Sequence, residues 1–566
     1  MSGNWLSEDC ITENWSALLP PSEASGERFA ARPEAADDHP PTANSQDDTF
    51  MAGVSGTPEE SGDAPALRAD TLADSVLVLL ALTGLQRLIG LVRSVLFCRW
   101  LDPQQLGLWD MAFGFLLFVA PIAVLSLPGT FGRYVEHYRR RGQLRVLLRR
   151  TSAFCALSTS TAVLVIGLFS GQVSYLIFGA EEHGRLIVLS AASLVAVISF
   201  NYLTELAVAL RKVRLVSLIQ LLNSMAFAGM GICLVLSWRA SAESVVLAYG
   251  SACLISSVCL GVWLRRVWLS LPEAQTPLPH RALWGKLVPF VAWLWTINLL
   301  SHLSELADRY MVIHYSQAAD PQALVGQYHS ARIIPVLLVS VAAMLGTVVT
   351  PHLSADWEAG RRERVSLRLN LFLKLLAFAL ALAGAMVLAV APLLFGVVLQ
   401  NRFAEGQSVL PLTLASLAWL ALTTVALNYL WCLEKARLGS LSLLAGLVVN
   451  VFLNLLLLPR MGLRGAVLAS GIAHLLVLIS VCAFSSMWGF RVDRGTWLMF
   501  ALPPVVCLGP WLALLVLGAV AADAIVSDRL LSSEEKRLLA RKWQEYLERL
   551  QAWREWSICT GHRDSG

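Results

Sequence analysis

Thirteen apolar blocks constrain this chain more than any other feature of its sequence. A helix needs about 20 apolar residues to cross a hydrocarbon core of about 30 Å, and backbone groups inside lipid must be satisfied within the protein. Hydrophobic residues make up 56% of the 566 and charged residues only 15%. The sequence therefore predicts an all-α polytopic membrane protein, with apolar blocks at approximately 73–98, 107–131, 152–178, 186–210, 215–237, 244–264, 284–314, 324–350, 369–399, 409–432, 438–458, 464–487 and 497–522.

The lysines and arginines of the connecting loops predict which side of the membrane each loop faces. Loops after the even-numbered blocks hold 23 of these residues, and loops after the odd-numbered blocks hold 6. Cytoplasmic loops carry the excess of positive charge, so we expect a multi-pass membrane protein with a cytoplasmic N-terminus. By parity the C-terminus lies outside, unless the last block, which Pro503, Pro504 and Pro510 interrupt, is re-entrant.

The two ends of the chain differ in composition from the apolar blocks. Residues 1–71 hold fourteen acidic residues and three arginines without apolar periodicity, which is typical of a disordered tail. Residues 529–566 form an amphipathic charged tail, in which Leu539, Trp543 and Trp553 share one stripe. Such a helix binds a membrane surface or pairs with another solvated helix. In either case we expect truncation after residue 528 to leave most of the protein's function intact.

A short motif occurs twice and indicates an internal repeat. Six blocks separate the two copies, which read Leu101-Asp102-Pro103-Gln104 before Gly107, and Ala319-Asp320-Pro321-Gln322 before Gly326. This spacing predicts two six-helix bundles, 72–270 and 271–490, in a parallel pseudo-twofold repeat. About one extra helix, transmembrane or re-entrant, follows over 491–528. In such an architecture a transported substrate binds between the bundles.

Three segments resemble motifs of the MOP exporter superfamily, and within it of the Wzx-like oligosaccharide and polysaccharide flippases. The first, from Arg93 to Leu106-Gly107-Leu108-Trp109, resembles "ArxLgpeefGlw". The second resembles "D…vGxYxxA" and comprises Asp308-Arg309 with Gly326-Gln327-Tyr328-His329-Ser330-Ala331. The most specific match is similar to "NixLNllLiPxxGixGAaxA" and runs from Asn450 and Asn454 through Pro459 to Gly465-Ala466. The resemblance extends over residues 72–490.

This resemblance implies a MATE- or MOP-like fold and a transporter, not an enzyme. It implies a flippase that carries a polyprenyl-diphosphate-linked oligosaccharide, an O-antigen or exopolysaccharide repeat unit, across the inner membrane by alternating access. The implied partners are this glycan, the bilayer and a proton or sodium ion for coupling, with no cofactor, metal or nucleic acid. A cation-coupled multidrug and toxin exporter and a lipid II flippase remain alternatives of the same fold.

Catalytic motifs are missing from the sequence. It contains no P-loop, HExxH or GxSxG, each of which would indicate a specific chemistry. A membrane glycosyltransferase or polymerase would be expected to carry an acidic pair in a long outer loop, and the loops here are short. These observations disfavour an enzyme and an ATPase within this chain.

Arginines inside the apolar blocks are candidates for binding an anionic headgroup. A charge at the bilayer centre costs about 2.5–3.5 kcal/mol on insertion scales, so Arg87, Arg93 and Arg332 each require an explanation. The guanidinium fork pairs with two phosphate oxygens and stays charged in a low dielectric, which favours a diphosphate. Alternatively, these arginines pair with acidic residues and fix helix packing. Arg309, near the outer end of block 7, is expected to snorkel to the interface.

One face of block 7 carries further candidates. Asn298, His302, Glu305 and Arg309 follow one another at steps of four, three and four residues, which places them on one side of a helix. We interpret Asn298 and His302 as substrate-binding candidates, and the alternative for His302 is a hydrogen-bonded core residue. The inner faces of blocks 1 and 7 are expected to meet across a central cavity.

Acidic and amide side chains complete the set of candidates. Glu205, Glu305 and Asp308 lie within apolar blocks, where they either bind a coupling ion or neutralise the arginines. Asn450 and Asn454 are expected to form hydrogen bonds between helices.

Overall fold

The computed structural model describes residues 72–271 and 278–542 and the single residues 544 and 548, and the structural statements below concern these residues. The predicted acidic tail, Trp543 and Trp553 lie outside them. The α-helices are α1 (Leu72–Trp100), α2 (Pro103–Ala123), α3 (Phe131–Arg140), α4 (Leu144–Leu168), α5 (Ser170–Phe178), α6 (Gly184–Ala209), α7 (Val213–Ser237), α8 (Ala242–Ser270), α9 (His280–Tyr315), α10 (Pro321–Glu358), α11 (Arg362–Leu393), α12 (Ala404–Cys432), α13 (Ala436–Met461), α14 (Leu463–Met487), α15 (Arg494–Phe500) and α16 (Pro510–Val526).

Twelve of these helices are long and apolar enough to cross a membrane, within the part of the chain that the structure describes. They are α1, α2, α4 and α6 to α14. The prediction of an all-α polytopic membrane protein is therefore confirmed. The thirteenth apolar block is not one continuous helix, because the prolines divide it into α15, a 3-10 segment at Pro503–Leu508 and α16.

The repeated Asp-Pro motif begins a helix in both halves of the chain. Asp102 Oδ1 accepts a hydrogen bond of 2.7 Å from the Gln105 amide, and Asp320 Oδ1 accepts one of 2.9 Å from the Ala323 amide. Each carboxylate thus caps amide groups that lack a partner in the first helical turn, and the following proline suits the first helical position. The internal repeat is therefore present in the local structure as well as in the sequence.

The helices form an N-terminal half, α1 to α8, and a C-terminal half, α9 to α14. Within the first half α8 packs against α6 and α7, and α7 packs against α1. Within the second half α12 packs against α10 and α14, and α14 packs against α13. The halves meet chiefly where α2 contacts α9 and α10.

The two halves approach each other most closely where α2 and α10 begin. A β-carbon on Gly107 would overlap the carbonyl oxygen of Gln322, and one on Gly326 would overlap the carbonyl oxygen of Pro103. The two glycines hold equivalent positions in the repeat, so the glycine of each half leaves space for a backbone carbonyl of the other half. Because every other residue has a β-carbon, the contact requires glycine at both positions.

The segment 494–526, which we call the C-terminal hairpin, is flanked on both sides by residues that contact Lys374. Lys374 Nζ on α11 lies 2.5 Å from Asp493 Oδ2, just before the hairpin, and 2.7 Å from Glu535 Oε2, just after it. The 17 residues of α16 extend over about 25 Å. At the break after α15, Trp419 Nε1 donates a 2.8 Å hydrogen bond to the carbonyl of Phe500. Non-helical backbone at membrane depth requires such partners within the protein.

We propose that the C-terminal hairpin is re-entrant, so that the C-terminal tail lies on the same side as the loop after α14. Reporters fused after Arg491 and after Lys542 are expected to report the same compartment. A reporter after Arg141 is expected to report the cytoplasm, and one after Asp320 the outside. Opposite readings at Arg491 and Lys542 would show instead that the hairpin crosses the membrane.

Candidate functional site

A cavity of about 150 Å³, lined by apolar side chains and several ionisable ones, lies within the C-terminal half. Helices α9, α10, α12, α13 and α14 contribute its lining. Its ionisable side chains are His302, Glu305, Asp308, Tyr328, Arg332 and His474. We call it the C-half cavity. It brings together four of the predicted site residues, His302, Glu305, Asp308 and Arg332.

Asp308 is bonded to neutral donors from three other helices. Its Oδ1 accepts from Asn450 Nδ2 at 2.8 Å and from Asn454 Nδ2 at 3.2 Å. Its Oδ2 accepts from Ser470 Oγ at 2.6 Å and from the Tyr328 hydroxyl at 3.2 Å. The prediction that the two asparagines bond between helices is confirmed, since they lie on α13 and Asp308 lies on α9.

Arg309 does not snorkel to the membrane interface, and that prediction is wrong. Its side chain is 5% exposed, and its Nε lies 3.3 Å from Asp110 Oδ2 on α2. Its Nη2 lies 3.2 Å from Glu305 Oε1, one turn earlier on α9. The buried carboxylates stabilise the guanidinium within the protein, so it does not need to reach water. Glu305 therefore contacts Arg309 on the same helix and also lines the C-half cavity.

Arg332 on α10 is half-buried and borders the C-half cavity. Its guanidinium carbon lies 5.2 Å from the centre of the Tyr328 ring, within the range of a cation–π contact. Its Nε is buried and has no hydrogen-bond partner among the described residues. A buried donor without a partner is costly, so this position favours a ligand that supplies an acceptor.

The remaining polar side chains of the α9 face have different surroundings. Asn298 is buried, and its Nδ2 donates to Ser126 Oγ at 3.1 Å, a contact between the two halves. His302 lines the C-half cavity and is 9% exposed. His474 on α14 lines the same cavity and lies 3.0 Å from Ser416 Oγ. In this structure His302 is thus better placed than Asn298 to contact a ligand in the cavity.

The N-terminal half holds Arg87, Arg93 and Glu205 away from the C-half cavity. Arg93 is 2% exposed, and its guanidinium carbon lies 3.9 Å from the centre of the Phe227 ring. Arg87 on α1 and Glu205 on α6 are half-buried. We expected α1 and α9 to face each other, but α9 packs against α2, while α1 packs against α7. A role for Arg87 and Arg93 in binding substrate stays a prediction.

A second cavity, of about 830 Å³, opens between the two halves at the end of the molecule opposite the Gly107–Gly326 contact. We call it the vestibule. Arg133 of α3 borders it from the N-terminal half, and Lys286, Lys435 and Arg437 border it from the C-terminal half. Glu434 is the acidic residue in its lining, as far as the structure describes it.

Aromatic rings contact two of the vestibule cations. Lys435 Nζ lies 3.4 Å from the centre of the Trp488 ring, and the guanidinium carbon of Arg133 lies 5.2 Å from that of Phe290. Burial and the nearby charges of Arg141 and Lys286 lower the pKa of His137 on α3. The cations of the vestibule, together with Arg141, give this end of the molecule a positive potential.

Comparison with known proteins identifies the family. A family model described as polysaccharide biosynthesis protein matches residues 72–357, about half of the chain. The chain belongs to this family. Its predicted membership of the MOP exporter superfamily and its resemblance to Wzx-like flippases are thereby confirmed. No curated protein sequence matches the chain.

Solved structures of MOP transporters share the fold of this family member. The lipid II flippase MurJ in an inward-closed conformation superimposes with a TM-score of 0.60 at 12% identity, covering 80% of this chain and 100% of that one. An inward-facing multidrug resistance MATE transporter superimposes with a TM-score of 0.57 at 13% identity, covering 73% and 98%. At such identities the likeness concerns the fold alone.

The sequence did not single out the four vestibule cations as site residues, nor His474 of the C-half cavity, nor Asp110 and His329 at the contact between the halves. Asp110 directly follows the quoted segment ending in Trp109, and His329 lies within the second quoted motif, but neither follows a spacing that indicates a site. His474 is an isolated histidine in an apolar block. The charge of Asp110 inside block 2 was the available signal, because an acid at membrane depth is as costly as an arginine.

Proposed function

We propose that this chain is a flippase that moves a polyprenyl-diphosphate-linked oligosaccharide across the bacterial inner membrane by alternating access. The vestibule carries this proposal, because it gathers Arg133, Lys286, Lys435 and Arg437 between the two halves. An anionic headgroup is attracted to a concave surface of positive potential. The orientation predicted from the loop charges places the vestibule at the cytoplasmic side, where such a substrate is made.

The chemistry of the vestibule matches a diphosphate attached to a lipid and a sugar. Arginine pairs with phosphate oxygens bidentately, and lysine contributes a point charge. The volume of about 830 Å³ is within the range of pockets that bind small-molecule ligands. The polyprenyl tail stays in the bilayer, so only the headgroup has to enter the protein.

Arg332 in the C-half cavity would provide the next anion contact along the path. Its unpartnered Nε and His302, which lines the same cavity, offer donors to a phosphate or a sugar hydroxyl. Separation of the two halves at the Gly107–Gly326 contact would then expose the headgroup outside, since the orientation predicted from the loop charges places this contact at the outer side. The cations of the vestibule and the ionisable side chains of the C-half cavity support this order of events.

Asp308 is the group that we propose for coupling to a proton or sodium ion. Its carboxylate, the Ser470 hydroxyl and the amides of Asn450 and Asn454 lie within hydrogen-bond distance. Rotation of the two amides would present oxygens in place of nitrogens, and hard cations prefer oxygen ligands. The Asn454 Oδ1 is buried without a hydrogen-bond partner among the described residues. Glu305 is already engaged by Arg309 and balances its charge.

Flipping by the purified protein in liposomes tests the proposal. The double variant Lys435→Ala with Arg437→Ala is expected to lower the rate of flipping of a fluorescent polyprenyl-diphosphate oligosaccharide by roughly tenfold or more, since it removes two charge-assisted contacts. Binding of inorganic pyrophosphate to the wild type should weaken as ionic strength rises. Imposing a proton gradient and then a sodium gradient identifies the coupling ion, and Asp308→Asn should abolish the gradient dependence.

Arg402→Ala is the matched control, because Arg402 is an exposed cation outside both cavities. Its rate should equal that of the wild type. Flipping of lipid II but not of the oligosaccharide would support the lipid II alternative. Uptake of a cationic dye without flipping of either lipid would support the multidrug alternative and overturn the proposal.

A further inference from the structure

An acidic residue and a histidine occupy equivalent positions of the repeat at the contact between the halves. Asp110 follows Gly107 by three residues, and His329 follows Gly326 by three residues. Asp110 Oδ1 and His329 Nδ1 lie 2.8 Å apart, and both side chains are less than a tenth exposed. Because an ionised carboxylate only accepts hydrogen bonds, the ring N–H of His329 is the donor. The pair therefore lies on the pseudo-twofold axis, one turn inward from the closest contact.

Arg309 of α9 adds a second bond across the same contact. Besides the approach of its Nε to Asp110 Oδ2, its Nη1 donates to the backbone carbonyl of Asp110 at 3.4 Å. Gly114, one turn further along α2, leaves room for the guanidinium, since a β-carbon there would lie 3.0 Å from Arg309 Nη1. Both of these partners of Asp110 belong to the C-terminal half.

We propose that Asp110, Arg309 and His329 form an ion lock that holds the outer ends of the two halves together until substrate is bound. Moving α2 away from α9 and α10 separates Asp110 from both partners in one step. A buried charge that loses its partners is strongly destabilising, whereas the intact pair adds little net stability. Such a contact therefore favours either the closed or the fully separated arrangement of the two halves, and it adds little to the overall stability of the protein. The outer placement rests on the orientation within the proposed function.

Glu305 connects the ion lock to the C-half cavity. Its carboxylate binds Arg309 and also lines the cavity, where its side chain is 19% exposed. An anion that enters the cavity therefore comes close to Glu305, whose carboxylate is already bonded to Arg309 of the ion lock. The empty transporter keeps the lock closed, which prevents the outer side from opening without substrate.

The test measures the distance between the outer ends directly. Spin labels are placed on Gln104→Cys and Ala319→Cys, both exposed positions beside the glycine contact, in a variant whose ten native cysteines are replaced. Pulsed electron paramagnetic resonance of the unmodified lock should give a single short distance. Asp110→Asn, or Arg309→Gln, is expected to raise the population of longer distances by about tenfold or more.

Asp102→Asn is the matched control, because Asp102 is an exposed acid at the same helix end, and asparagine also caps helices. It should keep the short distance. Arg309→Lys, which keeps a cation beside Asp110 and Glu305, should keep the short distance that Arg309→Gln loses, which a merely structural role would not predict. If Asp110→Asn does not fold, His329→Gln, which removes a single bond, serves in its place. An unchanged distance distribution in the folded variants overturns the proposal, and this measurement does not depend on whether the protein flips a glycan.

Discussion

Replacing Lys374 by Met is expected to destabilise the protein by about 3–5 kcal/mol, because it leaves a buried carboxylate without its cation. Lys374 is 1% exposed and Glu535 is fully buried, and the Lys374 ammonium lies 2.9 and 2.7 Å from the two Glu535 oxygens. Without Lys374, Glu535 keeps the amide of Ser532 as a donor at 2.8 Å. One neutral donor does not compensate a full charge in such a site.

Thermal unfolding of the purified protein in detergent measures this effect. The double variant Lys374→Met with Glu535→Leu is expected to unfold near the wild-type temperature, since an apolar pair often replaces a buried ion pair without loss. Arg140→Met is the matched control, because Arg140 is 79% exposed in its ion pair with Glu136, and surface ion pairs contribute about 0–1 kcal/mol. Equal unfolding temperatures for Lys374→Met and the wild type would contradict the expectation.

The same ion cluster revises the interpretation of the C-terminal tail. The sequence pattern of residues 529–566 indicated a surface element whose removal would do little. Truncation after residue 528 in fact removes Glu535 and leaves Lys374 with Asp493, whose side chain is 39% exposed. We now expect the truncated protein to be less stable, and any loss of transport must be compared with its abundance in the membrane.

Local patterns allowed the architecture to be predicted from the sequence. The length and apolar character of the blocks predicted the membrane-spanning helices, because lipid leaves the backbone few alternatives. The apolar blocks were predicted to begin at residues 107 and 324, but α2 and α10 begin earlier, at Pro103 and Pro321, because Asp102 and Asp320 cap their first turns. Pro503, Pro504 and Pro510 indicated the break in the last block, because proline removes a helical hydrogen bond.

Contacts between distant segments could not be predicted in this way. Arg309 and Asp110 are 199 residues apart, and Lys374 and Glu535 are 161 residues apart. No periodicity or spacing relates such pairs, and a single charged residue in an apolar block fits several partners equally well. The contact of α9 with α2 instead of α1 could not be predicted for the same reason. The sequence indicates which face of a helix is polar but not which helix covers that face.

Arg332 is the residue at which substitution is expected to affect transport most. Arg332→Ala should lower glycan export by roughly 10- to 100-fold, because a charge-assisted hydrogen bond to a phosphate contributes about 1.5–3 kcal/mol. Arg332→Lys should restore export only in part, since an ammonium keeps the charge but loses the bidentate fork. Export is measured in a host that lacks its own flippase, with membrane abundance measured in parallel.

Arg93→Ala in the same assay tests whether the N-terminal half or the C-terminal half supplies the contact to the phosphate. Arg93 lies over the Phe227 ring and is 2% exposed, so its loss in this conformation removes a cation–π contact, which contributes about 2 kcal/mol when desolvated. A fall in Arg93→Ala abundance with export per molecule unchanged would indicate a packing role. A fall in export at unchanged abundance would show that α1 exposes this arginine to substrate in another state. Wild-type export per molecule in Arg332→Ala would sink the assignment of Arg332, because the unpartnered Nε would then have no ligand to explain it.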